Sequence, residues 1–298
     1  MVRLAYHERK LSCTLAASPW RRQTMKGVAT APDGVSIHYE TQGAGNPALV
    51  LVHGWCCDRT YWAAQAPYFA QTHQVVTVDL GGHGESGPGR KDWTMPAFGS
   101  DVKAVVEKLE LSQVVLVGHS MGGPVVAEAA RQMPQRVIGL VGTDTFRNLA
   151  VTFTSQDIAK LLAPFRNDFT ASARRYVPDM FIPASDSQQK EWIIQDMAAA
   201  PPEVGISAME NNRRYRDQLR TTLSNLRMPK LAINSDYRPN DLETAAACGL
   251  KIVLMSGVGH FVMLEDPATF NRLLEEAMGQ FTSAGSSAVA ARRNQHAN

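Results

Sequence analysis

Short apolar runs recur along the chain, and most of them are continuous instead of alternating with polar residues. They lie at positions 35–39, 48–52, 75–80, 114–117, 137–141, 230–233 and 251–255. Continuous apolar strands separated by helical segments are typical of a parallel sheet that is covered by helices on both faces. The pattern therefore predicts an α/β fold with a mostly parallel central sheet.

A long segment without strand-like runs interrupts this alternation. Between the run that ends at 141 and the run that begins at 230, roughly 80 residues have helical character, which is too long for an ordinary loop between strand and helix. We expect a helical lid here, with helices near 155–164, 171–180, 187–197, 202–214 and 217–226.

The predicted domain organisation follows from these patterns. Residues 1–24 have five basic residues against one acidic residue and no clear strand or helix period. This composition favours a flexible extension or a start codon assigned too far upstream. A transit peptide is the alternative. The predicted units are a flexible N-terminal extension (1–26), the first part of the core (27–145), the helical lid (146–228), the second part of the core (229–281) and a disordered tail (282–298).

Composition narrows the class of partner. The 298 residues include 30 Lys and Arg against 28 Asp and Glu, so no strong field favours nucleic acid or an anionic membrane. No apolar stretch is long enough to span a membrane, and we expect a soluble protein. The four cysteines form no CxxC pair, which favours a reducing, cytoplasmic compartment, and the histidines form no HExxH motif, so no metal is expected. Nothing in the sequence indicates an oligomeric state.

The candidate chemistry begins at a serine between a strand and a helix. The apolar run 114–117 leads into Gly118-His119-Ser120-Met121-Gly122, and a helical pattern follows. This order is typical of a nucleophile elbow, in which a sharp turn lifts the serine hydroxyl above the sheet. We therefore interpret Ser120 as the nucleophile.

A serine hydroxyl needs a base, and the base needs an acid that orients it. His260 lies just beyond the last predicted strand, where active-site groups of open α/β sheets gather. Asp236 follows the preceding strand and is our candidate acid. Asp144 and Asp241 remain alternatives, because each also lies near a strand end.

Attack on a carbonyl further requires two N–H groups that stabilise the oxyanion. The backbone N–H of Met121 follows the nucleophile directly. The second donor is expected in the loop after the run 48–52, where His53-Gly54-Trp55 favours the backbone N–H of Trp55.

Four motifs in this order resemble the α/β-hydrolase fold family. They are His53-Gly54-Trp55, Asp79-Leu80-Gly81-Gly82-His83-Gly84-Glu85-Ser86, Gly118-His119-Ser120-Met121-Gly122-Gly123 and Gly259-His260-Phe261. The resemblance covers residues 27–281 and implies about eight strands, a helical lid and no cofactor. Residues 82–87 also match GxGxxG, but a loop continues after them, so a dinucleotide site is not expected.

The sequence thus predicts a serine hydrolase that cleaves a carboxylic ester or related acyl substrate of hydrophobic character. The alternatives are a carbon–carbon bond hydrolase, a cofactor-free dioxygenase of the same fold, and a ligand-sensing protein that retains the triad. Arg213, Arg214 and Arg216 in the lid could face an acidic substrate, although a solvated helix face is the simpler interpretation.

Overall fold

The structure, a computed structural model, describes residues 24–295, so most of the predicted N-terminal extension lies outside the described residues. Its strands are β1 (Met25–Thr30), β2 (Ser36–Gln42), β3 (Ala48–Val52), β4 (Val75–Val78), β5 (Val114–His119), β6 (Val137–Thr143), β7 (Lys230–Ser235) and β8 (Leu250–Met255).

Helices connect and cover these strands. They are α1 (Gln65–Phe69), α2 (Met95–Lys108), α3 (Gly122–Gln132), α4 (Ser155–Asn167), α5 (Phe169–Tyr176), α6 (Ser187–Ala198), α7 (Pro202–Arg214), α8 (Arg216–Asn225), α9 (Leu242–Ala247), α10 (Val262–Glu265) and α11 (Pro267–Gln295). The described residues also contain two short 3₁₀ helices, Arg59–Trp62 and Val177–Met180. No helix in residues 24–295 is both long and apolar enough to cross a membrane.

The strands form one sheet of eight in the order β1-β2-β4-β3-β5-β6-β7-β8. Strand β2 runs antiparallel to both of its neighbours, and all other pairs are parallel. Every residue of β3, β4 and β5 is buried, as continuous apolar strands between two helical layers require. The α/β fold predicted from the apolar runs is confirmed.

The first strand of the sheet was not predicted. Strand β1 lies at the edge of the sheet and pairs only with β2 among the described residues. Most of its residues are exposed, including Met25 and Val28, so its sequence lacks the apolar run that identifies the buried strands. A solvated edge strand is held by its ladder of backbone hydrogen bonds, which sequence patterns do not show.

The segment between β6 and β7 is helical, as expected. Helix α7 has the predicted bounds, and α4, α5, α6 and α8 begin within two residues of the predicted positions. Caps explain several of these starts: Thr154 and Asp157 form a capping box for α4, and Asp186 accepts a hydrogen bond from the Gln189 N–H at the start of α6. The division of the chain into core and lid remains a prediction.

The C-terminal helix differs from the prediction. A disordered tail was expected from residue 282, whereas α11 continues to Gln295. The extension is rich in alanine and ends in Arg292 and Arg293, residue types with high helix propensity, so the low apolar content did not prevent helix formation.

A buried carboxylate organises the loop 80–87 that resembled a dinucleotide motif. Asp79 is fully buried and accepts hydrogen bonds from the backbone N–H of Arg59 at 2.8 Å and of Glu85 at 2.9 Å, and it pairs with the Arg59 guanidinium. The next helix, α2, begins only at Met95. The loop is therefore a structural turn around Asp79, with no helix N-terminus to receive a pyrophosphate.

We expect Asp79→Ala to lower the free energy of unfolding by about 3–5 kcal/mol, because it removes the acceptor of two buried backbone N–H groups and the buried one of the three carboxylates that pair with Arg59. Urea denaturation followed by fluorescence measures this loss. Glu107→Gln is the control, since it breaks the exposed Lys103–Glu107 pair and should change stability by less than about 1 kcal/mol. Equal effects of the two substitutions would contradict a structural role for Asp79.

Candidate active site

Ser120 occupies a sharp turn between β5 and α3. Its φ angle is 53°, a left-handed conformation that is costly for a residue with a side chain. Close packing enforces the turn: a Cβ atom at Gly118 would lie 2.2 Å from the Gly122 carbonyl oxygen, and one at Gly122 would lie 2.6 Å from the His53 carbonyl oxygen. The predicted strand–turn–helix around Ser120 is present.

His260 lies in the loop between β8 and α10. Its backbone N–H donates to the Met180 carbonyl oxygen at 2.8 Å, and its own carbonyl oxygen lies 3.1 Å from His119 Nε2. These two bonds connect the loop to the helical segment on one side and to the residue before Ser120 on the other. They fix the backbone from which the imidazole projects.

The imidazole of His260 contacts Asp144. Nδ1 of His260 lies 2.5 Å from Oδ2 of Asp144, whose carboxylate is fully buried. The other oxygen, Oδ1, accepts the Ser235 N–H at 2.8 Å, and the Arg147 guanidinium pairs with the same carboxylate. The bond to Asp144 leaves Nε2 of His260 as the nitrogen available for proton transfer.

The prediction that Asp236 orients His260 is therefore wrong, and the alternative Asp144 occupies this position. Asp236 Oδ2 accepts a hydrogen bond from Ser256 Oγ at 2.5 Å. Asp241 caps α9, where it accepts the N–H of Thr244 at 3.0 Å.

The order of the strands explains the choice of aspartate. Strand β6, which carries Asp144 just beyond its end, is the direct neighbour of β5 and thus of Ser120, whereas β7 is one strand further away. The backbone N–H of Ser120 itself donates to the Thr143 carbonyl oxygen at 2.9 Å. Residues that follow Thr143 are consequently closer to the elbow than residues that follow β7.

Arg147 is a site residue that sequence reasoning missed. It lies three residues after Asp144 and also donates through Nη1 to the Arg238 carbonyl oxygen at 2.8 Å. Its guanidinium lies 4.9 Å from the centre of the Tyr237 ring. The only available signal was a basic residue close to one of the three candidate aspartates, and that spacing is common on protein surfaces.

Ser120 and His260 line one small cavity of about 10 Å³, which is room for about one water molecule. The remaining lining residues are apolar or weakly polar: Trp55, Cys57, His119, Met180, Met197 and Phe261. The backbone N–H groups of Trp55 and Met121 donate to no acceptor in the described part of the chain. Both predicted oxyanion donors are thus available to a ligand.

The other histidines near Ser120 are buried and support the loops. Burial lowers the pKa of His53 to about 4 and that of His83 to about 3, and it places the pKa of His119 well below its usual range. His53 accepts the Leu80 N–H at 3.0 Å, so the neutral ring joins two loops. Because these imidazoles stay neutral at pH 7, none of them competes with His260 for the role of base.

Three cysteines lie within the described residues. Cys56, Cys57 and Cys248 are buried and unpaired, and burial raises the pKa of Cys56 and Cys57 well above the usual thiol value. These two thiols are therefore protonated at neutral pH. No group of three or more His, Cys, Asp or Glu side chains within residues 24–295 is arranged to hold a metal ion.

The sequence of this chain is similar to one family model and to several known proteins. A family model described as alpha/beta hydrolase fold matches residues 47–184. An uncharacterized protein of Mycobacterium tuberculosis is 25% identical over 264 residues, which are 80% of this chain and 77% of that protein. The 3-oxoadipate enol-lactonase 2 of Acinetobacter baylyi is 25% identical over 267 residues, which are 86% of this chain and 97% of the enzyme.

Solved structures agree with the sequence relatives. A thermophilic esterase from Thermogutta terrifontis superposes with a TM-score of 0.75 at 25% identity, covering 87% of this chain and 99% of the esterase. A bromoperoxidase from Bacillus anthracis also reaches 0.75, at 22% identity, with 86% of this chain and all of the bromoperoxidase covered. The second likeness concerns the fold alone.

We expect Asp144→Asn to slow the labelling of Ser120 by a fluorophosphonate probe by a factor on the order of 10³ to 10⁴. The neutral amide neither orients the imidazole of His260 correctly nor stabilises its positive charge. Asp236→Asn and Asp241→Asn should stay within about threefold of the unmodified protein, since their carboxylates contact other groups. Labelling rates with peptide mapping measure the effect. A slow Asp236→Asn variant would restore the original assignment.

Proposed function

We propose, given that this chain is an α/β-hydrolase-fold protein, that it is a serine hydrolase of carboxylic esters or related acyl substrates. The observation that carries the proposal is the contact of His260 Nδ1 with Asp144 at the wall of the cavity that also contains Ser120. A buried acid, an imidazole and a serine on a strained turn form the constellation that acyl transfer requires. The names of the lactonase and esterase relatives are consistent with ester cleavage.

In the proposed first step, Nε2 of His260 takes the proton of the Ser120 hydroxyl while Oγ attacks the ester carbonyl carbon. Asp144 stabilises the imidazolium that forms, and the N–H groups of Met121 and Trp55 donate to the oxyanion. Proton transfer from His260 to the leaving alcohol yields an acyl-enzyme on Ser120. Water, deprotonated by the same imidazole, then attacks the acyl-enzyme and releases the acid.

Arg147 is a positioning residue in this scheme. It pairs with the Asp144 carboxylate, so a cation contacts the same anion that must stabilise the His260 imidazolium. This contact holds the carboxylate in place and offsets part of its charge. The geometry thus favours orientation of His260 as the main contribution of Asp144.

The cavity walls indicate the hydrophobic character of the substrate. The side chains of Met180, Met197 and Phe261 line the space next to Ser120. Met180 and Met197 come from the helical segment between β6 and β7, and they are flexible enough to adapt to differently shaped acyl groups. The free space beside Ser120 is only about 10 Å³, so a short acyl group requires less movement of these side chains than a long unbranched chain.

We expect the unmodified protein to hydrolyse p-nitrophenyl acetate and butyrate faster than the decanoate, and Ser120→Ala to lower kcat by a factor on the order of 10⁴ or more because the nucleophile is lost. Ser256→Ala is the matched control, since this exposed serine contacts Asp236 and not His260. Stopped-assay kinetics with purified proteins measure both. Equal activity of the two variants would refute the role of Ser120.

A further inference from the structure

Two guanidinium groups of the helical segment between β6 and β7 have no carboxylate partner among residues 24–295. Arg213 ends α7 and Arg216 begins α8, and no Asp or Glu side chain of the described residues forms an ion pair with either. By contrast, Arg214, between them, pairs with Glu210 at 2.9 Å. The Glu210 carboxylate therefore lies close to this turn, but it pairs with the exposed Arg214 and with neither Arg213 nor Arg216.

The contacts of the two unpaired groups leave donors unused. Arg213 Nη2 donates to the Tyr176 hydroxyl at 3.4 Å, and its guanidinium lies 5.0 Å from the centre of the Phe153 ring. Arg216 donates to the carbonyl oxygen of Asn148. The Nε atoms of both arginines are buried without an acceptor in the described part of the chain. A buried donor without an acceptor destabilises the folded state, so both Nε–H groups favour an additional hydrogen-bond acceptor.

The pair carries uncompensated positive charge. Burial, together with repulsion from Arg213, lowers the pKa of Arg216 to about 10. Arg216 nevertheless remains cationic at neutral pH. Two neighbouring cations in a partly buried place favour an anion that contacts both of them.

Two aromatic rings connect Arg213 to the proposed catalytic cavity. The ring of Tyr176, which accepts from Arg213, lies 6.1 Å edge-on from the ring of Trp55, and Trp55 lines the cavity with Ser120. Asn148 and Phe153 belong to the segment that follows Asp144. A chain of contacts thus runs from Arg213 through Tyr176 and Trp55 to the cavity that Ser120 lines.

We propose that Arg213 and Arg216 form a carboxylate-binding subsite, which selects esters that carry a carboxylate a few methylene groups from the scissile bond. The two oxygens of a carboxylate accept charge-assisted hydrogen bonds from the two guanidinium groups and use the unsatisfied donors. This subsite rests on the proposed function, because only ester hydrolysis at Ser120 makes it a determinant of substrate choice.

Binding is tested without turnover in the Ser120→Ala protein. We expect succinate, adipate or suberate at millimolar concentration to raise its Tm, whereas neutral adipamide does not. The shift should disappear when Arg213→Gln or Arg216→Gln is added and should persist with Arg214→Gln, the exposed control. If no dicarboxylate raises the Tm, or if the shift is the same in all variants, the subsite does not exist.

The role in catalysis is tested with two esters of equal chain length, mono-p-nitrophenyl adipate and p-nitrophenyl hexanoate. We expect the ratio of their kcat/KM values to favour the charged ester and to fall by roughly tenfold or more in Arg213→Gln and Arg216→Gln. Circular dichroism spectra check that the variants are folded, and Arg214→Gln is the control expected to keep the ratio of the unmodified protein.

The two tests separate the two proposals. Hexanoate hydrolysis without preference for the charged ester would overturn the role of the subsite in substrate choice while leaving the hydrolase intact. A dicarboxylate shift in Tm, with neither ester cleaved, would refute ester hydrolysis and retain the anion site.

Discussion

The close crossing of β5 and α3 at Ser120 is the constraint on which the rest of the site depends. It requires three positions without side chains, Gly118, Gly122 and Gly123. A Cβ atom at Gly122 would meet the His53 carbonyl oxygen at 2.6 Å, and one at Gly123 would meet the Thr145 side chain at 2.5 Å. Helix α3 is thereby packed against the loop that precedes Trp55 and against the loop that contains Asp144, so one local packing condition brings the proposed oxyanion donors, Ser120 and Asp144 close to one another.

This dependence explains which parts of the site could be predicted from the sequence. The glycines around Ser120 and the buried parallel strands leave strong local patterns, because close approach and burial on both faces restrict residue type. His260 was found because it follows the last strand. Strand β1 and the helical end of α11 left no such pattern, since a solvated edge strand and an alanine-rich helix tolerate many residue types.

The choice between the candidate aspartates shows a different limit of prediction from sequence. Asp144 and Asp236 both follow buried strands, and their residue type and position within the βα unit are equivalent. What separates them is the order of strands in the sheet, which places β6 directly beside β5. Asp144 also has a φ of 47°, a backbone conformation that aspartate adopts more readily than most residues. Neither the strand order nor this angle can be read from a single sequence.

A hydrogen bond connects the arginines of the α7–α8 junction to α3, the helix that follows Ser120. In the sequence Arg213, Arg214 and Arg216 form one basic run, but Tyr215 divides it at the junction of α7 and α8. The Tyr215 hydroxyl donates to Glu128 of α3 at 2.5 Å, and the ring is buried. This bond ties the junction to the helix that begins behind Ser120. The bond therefore fixes the α7–α8 junction, and with it the backbone of Arg213 and Arg216, relative to the helix that follows Ser120.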